Sequence, residues 1–155
     1  MAKRIALNLA TLGPVGQIFP APGTAGSLAA LIMGYGLLQL GWVVLLIAAL
    51  LISVAGIWAA NLYEIHSGKK DASEVVIDEV AGQWLTLLFV PASLPWALAA
   101  FLMFRLFDIF KPGPVAFAEQ LPSGTGVMAD DIVAASLAGM VLLALQVAVE
   151  MARLS

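Results

Sequence analysis

The sequence predicts an all-α fold: a polytopic membrane bundle of about five helices, some short or re-entrant, with an amphipathic N-terminal arm. Two observations carry this. Hydrophobic residues make up 62% of the 155 and charged residues only 11%, giving a mean hydropathy of +1.01. Residues 28–62, 80–104 and 132–149 also hold no formal charge. An apolar run of roughly 18 residues or more is long enough to cross the hydrocarbon of a bilayer. A soluble core could hide one such run, but three exceed what a chain of this length can bury. With no repeat, low-complexity tail or long linker, residues 1–155 read as one domain.

Each element is set by local signals. The start, MAKRIALNLATLGPVGQIFPAPGT, has Lys3 and Arg4 like a signal peptide, but its apolar stretch is short and is interrupted by Pro14, Pro20 and Pro22. It reads as a mature amphipathic arm on the membrane surface. Residues 28–62 divide at Gln39-Leu40-Gly41 into a shorter helix and a longer one over 42–63. A polar loop, EIHSGKKDASE, comes next. Pro91 and Pro95 then break 80–104, since proline removes a backbone donor and steers its predecessor from helix. A hairpin of helices over 76–90 and 96–110 results, each about 22 Å long and so tilted or re-entrant. After the loop KPGPVAFAEQLPSGTG, a final helix covers 129–152.

This layout sets Lys3, Arg4, Lys69, Lys70, Arg105 and Lys111 on one face and Arg153 opposite. The positive-inside rule makes the first face cytoplasmic. Every acidic motif opens on it. Scattered basic residues exclude a nucleic-acid interface, and the absence of cysteine excludes disulfides and thiolate chemistry. The four tryptophans read as interfacial anchors, and His66, the single histidine, as a solvated loop residue.

The acids need an account. Asp78-Glu79 and Asp130-Asp131 each begin an apolar helix, and helix N-termini favour negative charge. Capping explains one acid at each site better than two, because adjacent carboxylates repel and only one can cap. Basic residues are too few to neutralise Asp78, Glu79, Asp108, Asp130 and Asp131 together; a divalent cation would do so. Oxygen-only donors favour a hard ion, Mg²⁺ above Ca²⁺ or Mn²⁺. Arg105, Asp108 and Lys111 are spaced to share a helix face, either as an interfacial ion-pair cluster or as an anion site beside the metal. Gly23, Thr24, Gly26 and Ser27, in PAPGTAGSLAA, offer permissive backbone and hydroxyls at a helix mouth, either as a cap or for an anion.

DASEVVIDEVAGQW, FRLFDIFKPGP and GTGVMADDIVAA, with PAPGTAGSLAA upstream, together resemble the bacterial phosphatidylglycerophosphatase A family over nearly the whole chain. The resemblance implies a Mg²⁺-dependent phosphatase of the inner membrane, acting on the phospholipid phosphatidylglycerophosphate to give phosphatidylglycerol. The family often has Asp-Pro before the Glu-Val-Val stretch, whereas here Asp71 precedes Ala72. On this reading Asp78, Glu79, Asp130 and Asp131 hold metal, and Gly23, Thr24, Gly26 and Ser27 bind phosphate. Arg105 and Lys111 stabilise charge on the phosphate, and Asp108 or Asp131 accepts a proton from water. An aspartyl-phosphate is an alternative; a route through two histidines is not. The rival class is a divalent-cation transporter or channel, since intramembrane acids often mark ion pathways.

Overall fold

The structure is a computed structural model and describes residues 2–70 and 72–154, so Met1, Asp71 and Ser155 lie outside the described residues. The order is α1 (Ala2–Ala10), a 3-10 turn (Val15–Gln17), α2 (Pro22–Gln39), α3 (Trp42–Ser67), α4 (Ile77–Leu87), α5 (Leu94–Phe110), α6 (Gly113–Ala118) and α7 (Ser123–Leu154). There is no strand among the described residues.

The breaks fall where backbone chemistry puts them. Between α2 and α3 the chain turns through Gly41, whose φ of 124° disfavours any side chain. Between α4 and α5 it reverses through VPAS, and Pro95 lies in the first turn of α5, where its missing N–H costs nothing. The expected hairpin is therefore present, with α4 shorter than anticipated at 11 residues.

Two expectations are corrected. The loop after α5 contains the short helix α6, and α7 begins at Ser123 rather than near residue 129. Glycines in SGTG suggested a turn on propensity alone. Packing overrides propensity here, because the Gly124 N–H donates to Asn61 Oδ1 at 2.7 Å and Ser123 Oγ bonds Glu64 Oε2 at 2.9 Å. The start of α7 is thus pinned to α3. Asp130 and Asp131 consequently lie two turns inside α7, too far in to cap its N-terminus.

The arm also does more than lie on a surface. Ala6 and Ala10 of α1 are fully buried, α1 packs on α3, and Ala10 O accepts the Val76 N–H at 2.9 Å. That bond fixes the entry to α4.

The short α4 is the innermost helix, packed against α2, α3, α5 and α7. Half of the buried apolar side chains in the bundle are alanines, among them Ala59, Ala81, Ala97, Ala100, Ala134 and Ala138. Small residues let helix backbones approach closely, the packing mode of helices in lipid. The exterior is the opposite: Leu94, Leu98, Leu102 and Leu106 form an exposed stripe along α5. Helices α3 and α7 are each long and apolar enough to cross a membrane, and only 28% of either apolar window is buried in the protein. A core helix of a soluble domain would be mostly buried, so these faces suit lipid.

Candidate active site

Short acidic stretches from three helices meet in one cavity of about 260 Å³. Asp78 and Glu79 enter from the first turn of α4, Asp108 from the last turn of α5, and Asp130 and Asp131 from α7. Pro22 and Gly23 of α2, Lys111, and the segment before α4 (Ala72, Ser73 and Val75) complete the lining. The acids are 53 residues apart at the extremes of sequence, from Asp78 to Asp131, yet share one space.

Two cations serve five carboxylates. Arg105 Nη1 donates to Asp108 Oδ2 and, at 3.3 Å, to Ser27 Oγ; it lies 3.7 Å from Glu79 Oε1. Lys111 Nζ donates to Asp130 Oδ2 at 2.8 Å and to Glu119 Oε1 at 2.5 Å. Burial disfavours the Lys111 ammonium, but those two carboxylates more than reverse the effect and raise its pKa. Asp78 and Asp131 are left with no ion pair among the described residues, and Glu79 has only the longer one to Arg105.

Those three acids fit a metal. One oxygen from each of Asp78, Glu79 and Asp131 lies within 4.8 Å of the others. Glu79 Oε2 and Asp131 Oδ2 are buried without a hydrogen-bond partner. Like charges held this close at low dielectric are costly, and a hard divalent ion with oxygen ligands removes that cost. Asp130, also expected among the ligands, lines the same cavity and bonds Lys111, and its Oδ1 accepts the Asp131 N–H at 2.9 Å.

Helix α2 begins at Pro22, so all four residues expected to bind phosphate are helical; Gly23 and Ser27, one turn apart, share the face toward Arg105, and Thr24 and Gly26 lie off it. Gly23 lines the cavity so closely that a Cβ there would collide with Glu79 Oε1 and come within 3.4 Å of Arg105 Nη2. Ser27 is fully buried and donates to Gly23 O at 3.0 Å while accepting from Arg105. Gly26 abuts Val76, and Thr24 is exposed. His66 is exposed too. Sequence reasoning missed Glu119, the second partner of Lys111, which carries no motif. It also missed the Ser27–Arg105 contact, since no local spacing joins α2 to α5.

Comparison with known proteins supplies the remaining observation. A family model described as Phosphatidylglycerophosphatase A matches residues 8–146. The Haemophilus influenzae protein named phosphatidylglycerophosphatase A is 42% identical over 134 residues, covering 84% of this chain and 82% of its own. A Bacteroides thetaiotaomicron protein named "Putative phosphatidylinositol-3-phosphatase" is 46% identical over 122 residues, 74% of this chain and 76% of its own. The Escherichia coli phosphatidylglycerophosphatase A is 36% identical over 115 residues, 73% of this chain and 67% of its own. No solved structure matches.

Proposed function

The chain belongs to the phosphatidylglycerophosphatase A family, and on that premise we propose that it hydrolyses phosphatidylglycerophosphate to phosphatidylglycerol and phosphate, with Mg²⁺, at the cytoplasmic face of a bacterial inner membrane. The observation that carries the proposal is the trio Asp78, Glu79 and Asp131, with one long ion pair to Arg105 among them, set in one cavity with Asp108 and Lys111.

In this reading the trio holds the cation. When bound, Mg²⁺ supplies Lewis acidity and offsets the negative charge of carboxylates and phosphate. Lys111, at the cavity wall, and Arg105, behind Gly23 and Glu79, draw the phosphate oxygens and stabilise the charge that builds on them. The α2 N-terminus adds the positive end of its dipole where Pro22 and Gly23 line the cavity. Asp108 lines the cavity outside the trio and serves as the base. A water oxygen bonds to phosphorus as the ester P–O bond breaks. Asp108 takes the water's proton and returns it to the departing alkoxide, so protons balance.

The distribution of basic residues supports the sidedness. The segments that line the cavity carry Lys69, Lys70, Arg105 and Lys111 on or beside them, as a cytoplasmic face would. Family membership removes the ground from the transporter reading, because this is a family of phosphatases. A second substrate does have specific support. The Bacteroides relative's name specifies a phosphomonoester on inositol, and both lipids present a monoester on a polyol joined to the lipid by a phosphodiester. The test is phosphate release by purified protein in detergent from each lipid, with Mg²⁺ and with chelator. Release from phosphatidylglycerophosphate only with Mg²⁺ is expected; release from neither lipid would end the proposal.

A further inference from the structure

Gln83 of α4 is fully buried, and neither its amide nitrogen nor its amide oxygen has a hydrogen-bond partner. A leucine or methionine would fill the same volume without burying an amide, so the glutamine calls for an account. Other polar groups on α4 find local partners: Thr86 Oγ1 donates to Gly82 O at 2.8 Å. A glutamine side chain is too long to close that backbone bond easily.

Its place on the helix supplies the account. Gln83 comes four residues after Glu79, so both lie on one face, and helical side chains lean toward the N-terminus. Gln83 thus sits one turn behind Glu79 on the same face, and Glu79 Oε2 is itself buried and unpartnered. At the same depth α7 presses against α4, for a Cβ on Gly82 would stand 3.2 Å from Asp131 Cβ. Asp131 Oδ2 and Arg105 Nε are also buried and unpartnered. Donors on Gln83 and Arg105 thus accompany acceptors on Glu79, Asp131 and Gln83.

We infer that Gln83 is a positioning residue: its amide holds the Glu79 carboxylate from beneath through one ordered water, so that Glu79 serves the trio with Asp78 and Asp131 rather than Arg105. The inference rests on the cation-dependent phosphatase reading. Groups that orient a metal ligand in this way change metal affinity about 10- to 100-fold when removed.

The test compares the full-length wild type with Gln83→Leu and Gln83→Met in detergent. Two quantities are read: the rise in melting temperature on adding Mg²⁺ without substrate, and the Mg²⁺ concentration giving half-maximal phosphate release. Both variants are expected to melt no lower than wild type in EDTA, to lose most of the Mg²⁺-induced rise, and to need at least about 10-fold more Mg²⁺, with kcat recovered at saturation. Wild-type Mg²⁺ dependence in both variants would overturn the inference, as would failure of both to fold, which would make the amide a structural group. A wild type that neither releases phosphate nor responds to Mg²⁺ would overturn the phosphatase reading first, so the two failures are distinguishable.

Discussion

Lys111 Nζ bonds Asp130 Oδ2 at 2.8 Å, while Asp131, the next residue, has no cationic partner among the described residues. Two adjacent acids on one helix therefore have different partners. Asp131→Asn should remove nearly all phosphate release. Asp130→Asn should leave measurable turnover and cost about 2 kcal/mol of stability, the scale of a hydrogen bond to a charged group. Rates and melting curves on the two variants check this; equal rates would place both acids in the same role.

Removing the cation should remove activity and lower stability together. A ligand that binds only the folded state at 100 times its dissociation constant adds about 2.7 kcal/mol. Mg²⁺ at that excess should raise the melting temperature measurably, and Asp78→Asn should abolish the rise. Full activity after dialysis against EDTA would contradict the prediction.

If Asp78, Glu79 and Asp131 act as a unit, their effects should not add. Asp78→Asn combined with Asp131→Asn should lower turnover little more than either change alone. Independent acids would instead multiply their losses, which a double-mutant cycle on kcat/KM would reveal.

Gly23→Ala should be harmful although it adds one methyl. The new Cβ collides with Glu79 and crowds Arg105, and overpacking costs about 1–3 kcal/mol; turnover should fall at least about 10-fold, since each 1.4 kcal/mol in the barrier is a factor of ten. Gly36→Ala in the same helix meets nothing within 4 Å and should stabilise by about 0.5–1 kcal/mol. Similar melting temperatures for both variants would refute the contrast.

Sidedness has its own test. A reporter inserted near Lys70 should lie in the cytoplasm, and one fused after Ser155 (itself outside the described residues) should lie beyond it. Helix α7 is about 48 Å long at 1.5 Å per residue, enough to carry its C-terminus across. Both reporters on one side would overturn the arrangement.

What the sequence makes legible depends on how local each signal is. The α2–α3 corner and the α4–α5 hairpin arise from Gly41, Pro91 and Pro95, whose backbone restrictions act within a few residues. The meeting of the acidic stretches can be read from loop sides once the hairpin is recognised. The start of α7 is illegible, because the packing of Gly124 on Asn61 and the α3 backbone, and of Gly126 on the backbone of Glu119 and Leu121, has no local pattern. The difference in partners between Asp130 and Asp131 is equally hidden. It depends on Lys111 and Glu119, brought to α7 by a loop with no pattern. For the same reason Ser27 reads as a phosphate ligand, whereas its hydroxyl is engaged by Arg105 from a distant helix.

The alanine-lined interior bears on how this enzyme could change. Where the residues between helices are already methyl groups, truncation removes almost nothing, while nearly any replacement at Ala81, Ala100 or Ala134 forces two backbones apart. Divergence toward other headgroups is thereby channelled away from the interhelical seams. It is directed to the segments that rim the cavity, such as the exposed Ser73 before α4, where a side chain can grow into water without moving a helix.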